Sequence, residues 1–263
     1  MRTKISLIKV QGNAGLVPLH HQQIVSAFLG EIITEVGHST DRYVFSSLKG
    51  TSKVQNGQIR FLSNKITLVI GSGDEAFLGQ LIEKMFAKKY HNLGKLNVMP
   101  RALENIPDPE FKTVMKYVCI SPIIPSPAVA DGSPEPLPLD PMSHEFSDMF
   151  YNVVIDQMEK AGFSEEELNS FAEFEITPDV NYINKLTEGG KKFARIYKNN
   201  ENKLMVGYLL PFTLHAHPKV HKFIWDSGFG FYGTHGYGMI DIVQPEKKPK
   251  KSFNRQRRPR RDH

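Results

Sequence analysis

The stretch GFGFYGTHGYG, Gly228 to Gly238, decides how this chain is read. Its first six residues spell G-x-G-x-x-G, the spacing of the phosphate turn in dinucleotide-binding folds. That role has a required context: a strand before it, a helix after it, and an acidic residue about 20 positions on for the ribose. Here HPKVHKFIWDS (217–227) comes first, with Val220, Phe223 and Ile224 at helical spacing behind a first-turn Pro218. YGMIDIV (237–243) follows, alternates as a strand and runs into a polar tail. Helix, glycine loop, strand reverses the order that a dinucleotide site needs. The nicotinamide reading is rejected.

Outward from the loop, the order of elements repeats. TKISLIKV (3–10) alternates as a strand, and residues 20–37 place Ile24, Phe28, Leu29, Ile32, Ile33 and Val36 on one helical face. GQIRFLSNKITLVIGSG (57–73) reads as two strands joined at Ser63-Asn64. DEAFLGQLIEKMFAKKY (74–90) reads as a helix capped by Asp74, and LNVMPRALENI (96–106) as a strand. That order is βαββαβ, the ferredoxin-like arrangement.

A second pass runs through a strand in KTVMKYVCISPII (112–124), a proline-rich loop (125–141) and a helix in HEFSDMFYNVVIDQMEKA (144–161). FEITPDV (174–180) reads as a strand and KKFARIYKNNENKLMVGYLLPF (191–212) as a hairpin, before the final helix, loop and strand. The expected fold class is therefore α+β, with two tandem ferredoxin-like domains over 1–110 and 111–245.

Composition narrows the function classes. Apolar residues make up 40% and charged residues 23%, as in ordinary globular proteins. The net charge of +5 is uneven: the tail 246–263 holds nine Lys/Arg against two acids, so the remainder of the chain carries −2. Such a tail is expected to be disordered and to suit phosphates. A lone Cys119 excludes an intramolecular disulfide and fits a reducing cytosol. With no long apolar run and no signal-like start, the expectation is a cytoplasmic protein without a membrane partner.

Four segments carry a resemblance: VPLHHQQIVSAFLGEII (17–33), YVCISPI (117–123), LDPMSHEFSDMFYNVV (139–154) and GFGFYGTHGYGMI (228–240). In that order, on two ferredoxin-like domains, they resemble the CRISPR repeat-processing endoribonucleases, the Cas-six family of the RAMP superfamily. The last segment is similar to the family's glycine loop, G-x-G-x(5)-G-x-G, in spacing and in its place between helix and strand. The resemblance covers residues 3 to about 245 and leaves the tail out. It implies metal-independent cleavage of CRISPR precursor transcripts within their repeats, no cofactor, and repeat RNA as the partner. It leaves open a CRISPR effector complex, or a second copy of the chain, as further partners.

The residues of the loop suit RNA on their own terms. Glycines allow close backbone approach, so Gly228, Gly230, Gly233, Gly236 and Gly238 are expected to hold RNA backbone. Phe229, Phe231 and Tyr232 are candidates to stack on unpaired bases, whereas Tyr237 reads as a core anchor. His235 in the loop, His21 at the first helix and Arg42 complete the expected RNA contacts.

For catalysis the resemblance implies a histidine just after the first helix with a tyrosine and a lysine nearby. This chain departs from that pattern. Anchored on Lys49-Gly50, the histidine position holds Ser46 and the tyrosine position falls near Gly30. His38 is the only histidine in the segment 35–53, with Tyr43, Ser46, Lys49 and Lys53 as the other catalytic candidates. LHAHPKVH (214–221) offers His215, His217 and His221, but no cysteine or carboxylate cluster stands beside them, so no metal site is expected. The leading reading is an endoribonuclease; the alternative is an inactive repeat-RNA-binding subunit.

Overall fold

The computed structural model describes residues 1–10, 15–38, 40, 42–130, 132–199 and 201–243. The basic tail expected over 246–263 lies outside the described residues. The first half runs β1 (Arg2–Lys9), β2 (Leu16–Pro18), α1 (Gln22–Ile33), β3 (Tyr43–Phe45), β4 (Ser52–Gln55), β5 (Gln58–Phe61), β6 (Lys65–Ser72), α2 (Glu75–Ala87), β7 (His91–Leu93) and β8 (Leu96–Ile106). The main sheet has the order β3-β6-β1-β8 with β7 added at the edge, and all its pairs are antiparallel. Counted along the chain its four main strands lie as 2-3-1-4, the ferredoxin-like order. Val25, Phe28, Leu29 and Ile32 of α1 join Phe77, Leu78 and Leu81 of α2 over Ile5, Leu7, Leu68 and Ile70 of the sheet.

One strand differs from the sequence reading. The second ferredoxin strand is the short β3, whereas the alternating segment at 58–61 is β5, in a separate sheet of order β2-β5-β4. All three residues of β3 are buried, so no polar face remains to produce alternation.

The second half repeats the plan with β9 (Val114–Cys119), α3 (His144–Lys160), α4 (Glu165–Asn169), β10 (Phe174–Pro178), α5 (Val180–Glu188), β11 (Ala194–Lys198), β12 (Leu204–Tyr208), β13 (Pro211–Ala216), α6 (Pro218–Ser227) and β14 (Ile240–Ile242). Its sheet order β10-β13-β9-β14 is again 2-3-1-4. The hairpin β11–β12 stands apart from this sheet, and the third ferredoxin strand is β13, beyond the hairpin. Phe146 and Phe150 of α3 and Val220 and Ile224 of α6 pack over Met115, Tyr117, Phe212 and Leu214. The short α4 and α5 were not anticipated; α5 buries none of its residues. Among the described residues no helix is long and apolar enough to cross a membrane.

A buried cation joins the halves. The Arg2 guanidinium donates from Nε to the Trp225 carbonyl at 2.7 Å and from Nη1 to the Ile240 carbonyl, and it lies 3.6 Å over the Trp225 ring. Burial pulls its pKa down to about 10, with Asp241 and Asp226 opposing, so it stays protonated at neutral pH.

Local capping is explicit at α2. Asp74 Oδ1 accepts from the Phe77 N–H at 2.9 Å, and that bond, followed by His38, holds the carboxylate below its ordinary range. Asp74→Ala is expected to lower stability by about 1 kcal/mol, read from the urea midpoint. Because the folded pKa is depressed, this contribution is complete above the ordinary aspartate pKa and fades as pH falls through the lowered one.

Candidate functional site

The glycine loop leaves α6 and closes on its own protein. Phe229 N–H donates to the Gly238 carbonyl at 2.8 Å, and Gly238 N–H to Pro122 at 2.7 Å. Phe231 N–H donates to Ile124 at 2.9 Å, and residues 233–235 make a short 3-10 turn. At Gly230, with φ 96°, an added Cβ would sit 2.3 Å from the Ile124 carbonyl oxygen. At Gly236 it would sit 2.3 Å from the Phe45 ring. The expectation that these glycines hold RNA backbone is corrected: Gly228, Gly230, Gly236 and Gly238 are buried and let the loop approach its own scaffold. Gly233 is half-buried, although its Cα hydrogen also faces a carbonyl, that of Ser227.

The aromatics divide. Phe229 is fully buried, stacked at 4.5 Å on Phe150 and 5.4 Å on Phe212, so its expected base-stacking role is withdrawn. Tyr237 is a core residue packed on Tyr197, as the sequence suggested. Phe231 and Tyr232 are half-buried. Tyr232 takes a left-handed φ of 66°, and its hydroxyl accepts from the Ala128 N–H at 2.8 Å, so the proline-rich segment braces this ring. His235 meets the ring edge-on at 5.9 Å and pairs through Nδ1 with Thr234 Oγ1 at 3.2 Å. Burial lowers its pKa, with Glu201 opposing.

Beside the loop lies a cleft of about 240 Å³ whose lining includes Arg42, Gln157, Lys160, Tyr232, Thr234 and His235. Its described lining residues carry cationic side chains and no carboxylate. Gln157 Nε2 donates to the Gly230 carbonyl at 3.1 Å and so ties α3 to the loop. Lys160 is exposed and pairs with Asp156 at 2.6 Å. Gln157 and Lys160 escaped the sequence reading because nothing in α3 marks the turn of helix that meets a loop some 70 residues away.

His38 does not line this cleft, and its partner is Asp74. Its Nε2 lies 2.6 Å from Asp74 Oδ2, with 49% of the His38 side chain exposed. The charge of Arg42 also acts on Asp74, and Ser72 Oγ fixes the Arg42 carbonyl at 2.8 Å. Arg42 therefore belongs both to the cleft and to the surroundings of the His38–Asp74 pair. Asp74 was foreseen only as a helix cap; its second oxygen is what reaches His38.

The other expected catalytic residues do not gather there. Ser46 is buried, its hydroxyl donating to the Ser47 carbonyl at 2.9 Å and accepting from Val69 N–H at 3.0 Å, so it is removed from the catalytic set. Tyr43 is buried against Phe77, and burial pushes its phenol up to about 12, unsuited to proton exchange near neutrality. Lys53 is exposed on β4 in the accessory sheet. Lys49 lines a different, larger cleft of about 990 Å³ over the second sheet, among Lys116, Asp179 and Asp241. There burial lowers its pKa, with Asp241 opposing.

His21 is also corrected as an RNA contact. It is buried at the head of α1, where Nε2 accepts from the Leu48 N–H at 2.8 Å; burial lowers its pKa and keeps the ring neutral. The side chain pins the 44–48 segment to α1. In the LHAHPKVH stretch, His217 Nδ1 caps α6 by accepting from Lys219 N–H, while His221 bonds Tyr117 and the Thr113 carbonyl.

Comparison with known proteins bears on the family and the fold. Residues 106–242, about half of the chain, match the family profile for CRISPR associated protein Cas6, C-terminal. A comparison with curated proteins gives no match. The fold is similar to that of a Cas6-related protein from Pyrococcus furiosus, with a TM-score of 0.76 and 19% identity over 93% of this chain and 98% of that one. It is similar to an RAMP protein described as binding different RNA substrates, with a TM-score of 0.75 and 19% identity over 93% and 100%. A Cas6 product complex is more distant, at 0.57 and 10% over 92% and 99%. With two ferredoxin-like units in the same order and a matching C-terminal half, this chain belongs to the Cas6 family of CRISPR-associated proteins.

Proposed function

We propose that this protein binds CRISPR repeat RNA at the glycine-loop cleft and cuts it within the repeat, without a metal ion, to release guide RNAs. The observation that carries the reading is the meeting of Arg42 and Lys160 around one cleft with no described carboxylate in its lining, Arg42 also acting by its charge on the Asp74 that pairs with His38. A polyanion is attracted to such a cleft, whereas the larger cleft mixes Lys49 and Lys116 with Asp179 and Asp241. A relative solved as a product complex supports the same direction.

In this reading the RNA 2′-hydroxyl attacks the adjacent phosphorus as the bond to the 5′-oxygen breaks. One group takes the 2′ proton, another gives a proton to the departing oxygen, and a cation steadies the phosphorane. The products are a 2′,3′-cyclic phosphate and a 5′-hydroxyl. His38, oriented by Asp74, is the proton carrier, and Arg42 supplies the charge.

A second reading, a holder of repeat RNA in a CRISPR complex, is favoured by the sealing of Ser46 and Tyr43 and the placement of Lys49 in the other cleft. The test is end-labelled repeat RNA incubated with the protein in excess EDTA. One cut ending in a 2′,3′-cyclic phosphate supports the enzyme; tight binding with no cut supports the holder. Removing 247–263 is expected to weaken RNA binding and flatten its salt dependence, because fewer counterions are released. An unchanged slope of log Kd against log salt would leave the tail out of the contact.

A further inference from the structure

We infer that the cleft beside the glycine loop receives one nucleotide of the bound RNA, lifted out of its stack, with its base against Tyr232 and its phosphates toward Arg42 and Lys160. This rests on the RNA-binding reading above and adds to it a ligand of defined size and a reading mechanism. Size comes first. At about 240 Å³ the cavity is smaller than the roughly 300–1,000 Å³ of pockets for drug-sized ligands, a size that favours a single nucleotide over a longer stretch.

The second argument is the order of the walls. The lining holds the rings of Phe223 and Tyr232, of which Tyr232 is the less buried. The Tyr232 ring is fixed at both ends: the backbone by the left-handed turn, the hydroxyl by Ala128 N–H. A ring already immobilised loses little entropy when a base stacks on it. Gln157, Ser227 and Thr234 supply an amide and two hydroxyls along the same lining, the groups that read the edge of an unpaired base. Gln157 spends Nε2 on the Gly230 carbonyl, which leaves its Oε1 as an acceptor for a base amino group. Arg42 comes from the first half of the chain and Lys160 from the second, so the phosphates on either side of a lifted base each have a cation. Aromatic face, edge-reading groups and paired cations in one small cavity are the elements by which proteins hold extruded bases.

The test is a set of repeat RNAs, each with a single abasic site, bound to the full chain by filter retention. One position is expected to lose about 10-fold or more in affinity, the scale of one lost base–aromatic stack, with the others within about 2-fold. Thr234→Leu, which fills the cleft, is expected to make the intact and the sensitive abasic RNA bind alike. A 5-iodouridine at the sensitive position is expected to crosslink to Tyr232, a readout independent of how the variant folds. Equal tolerance of abasic sites throughout, with tight binding of intact RNA, would overturn the pocket and leave RNA binding standing. A sensitive base that crosslinks elsewhere would overturn it as well. Failure of intact repeat RNA to bind at all would overturn both the pocket and the reading beneath it.

Discussion

Gly230→Ala is expected to destabilise the protein by about 3 kcal/mol or more. Two costs add. A residue with a side chain at φ 96° is strained by roughly 1–3 kcal/mol. The new methyl would also stand 2.3 Å from the Ile124 carbonyl oxygen and 3.0 Å from the Phe150 ring, both in the interior. Overpacking of that kind costs about 1–3 kcal/mol more. The Ile124 oxygen cannot retreat freely, because it accepts the Phe231 N–H that starts the half-buried part of the loop. Gly79, exposed in the middle of α2 with nothing within 4 Å of an added Cβ, is the internal contrast. Gly79→Ala is expected to stabilise by about 0.5–1 kcal/mol through helix propensity. Urea unfolding of both variants checks the pair. A Gly230→Ala midpoint equal to wild type would show that the loop is not clamped at Ile124.

His38→Ala is expected to slow repeat cleavage by about 100-fold or more, the lower end for loss of a general acid or base, while RNA affinity stays within about 2-fold. The affinity is spared because His38 is not among the residues that line the cleft. Asp74→Asn separates the two duties of that carboxylate. Asparagine caps helices as well as aspartate does, so α2 keeps its start while the negative partner of His38 is lost. A smaller fall in rate than in His38→Ala, with the melting temperature nearly unchanged, is the expected result in single-turnover assays. Cleavage by His38→Ala at the wild-type rate would remove His38 from the chemistry.

The fold was legible where an element has one wet face. α1, α2, α3 and α6 stand out by their apolar stripes, and Asp74 by its cap. β3 was not, since three residues buried on both faces carry no period, and the alternating β5 took its place in the reading. The site was legible to the level of the loop and no further. Glycines at 230 and 236 announce a close approach, but a sequence does not say to what. The approach is to Ile124 and Phe45, residues more than a hundred positions away. The same holds for His38 and Asp74, 36 residues apart and joined only by folding. Arg42, Gln157 and Lys160 likewise meet only where the two halves do.

The Arg2 clasp has a bearing on how the chain is made. Its acceptors, the carbonyls of Trp225 and Ile240, are 223 and 238 residues downstream. During synthesis the guanidinium must wait in water until nearly the whole described chain has left the ribosome. The first half can build its own sheet and core in that interval, for those contacts are all upstream. Its seam against the second half stays open until α6 and β14 arrive. The final closure is thus a late docking of two formed halves around one charge, and a ribosome-bound chain halted before residue 225 would carry an Arg2 still open to solvent.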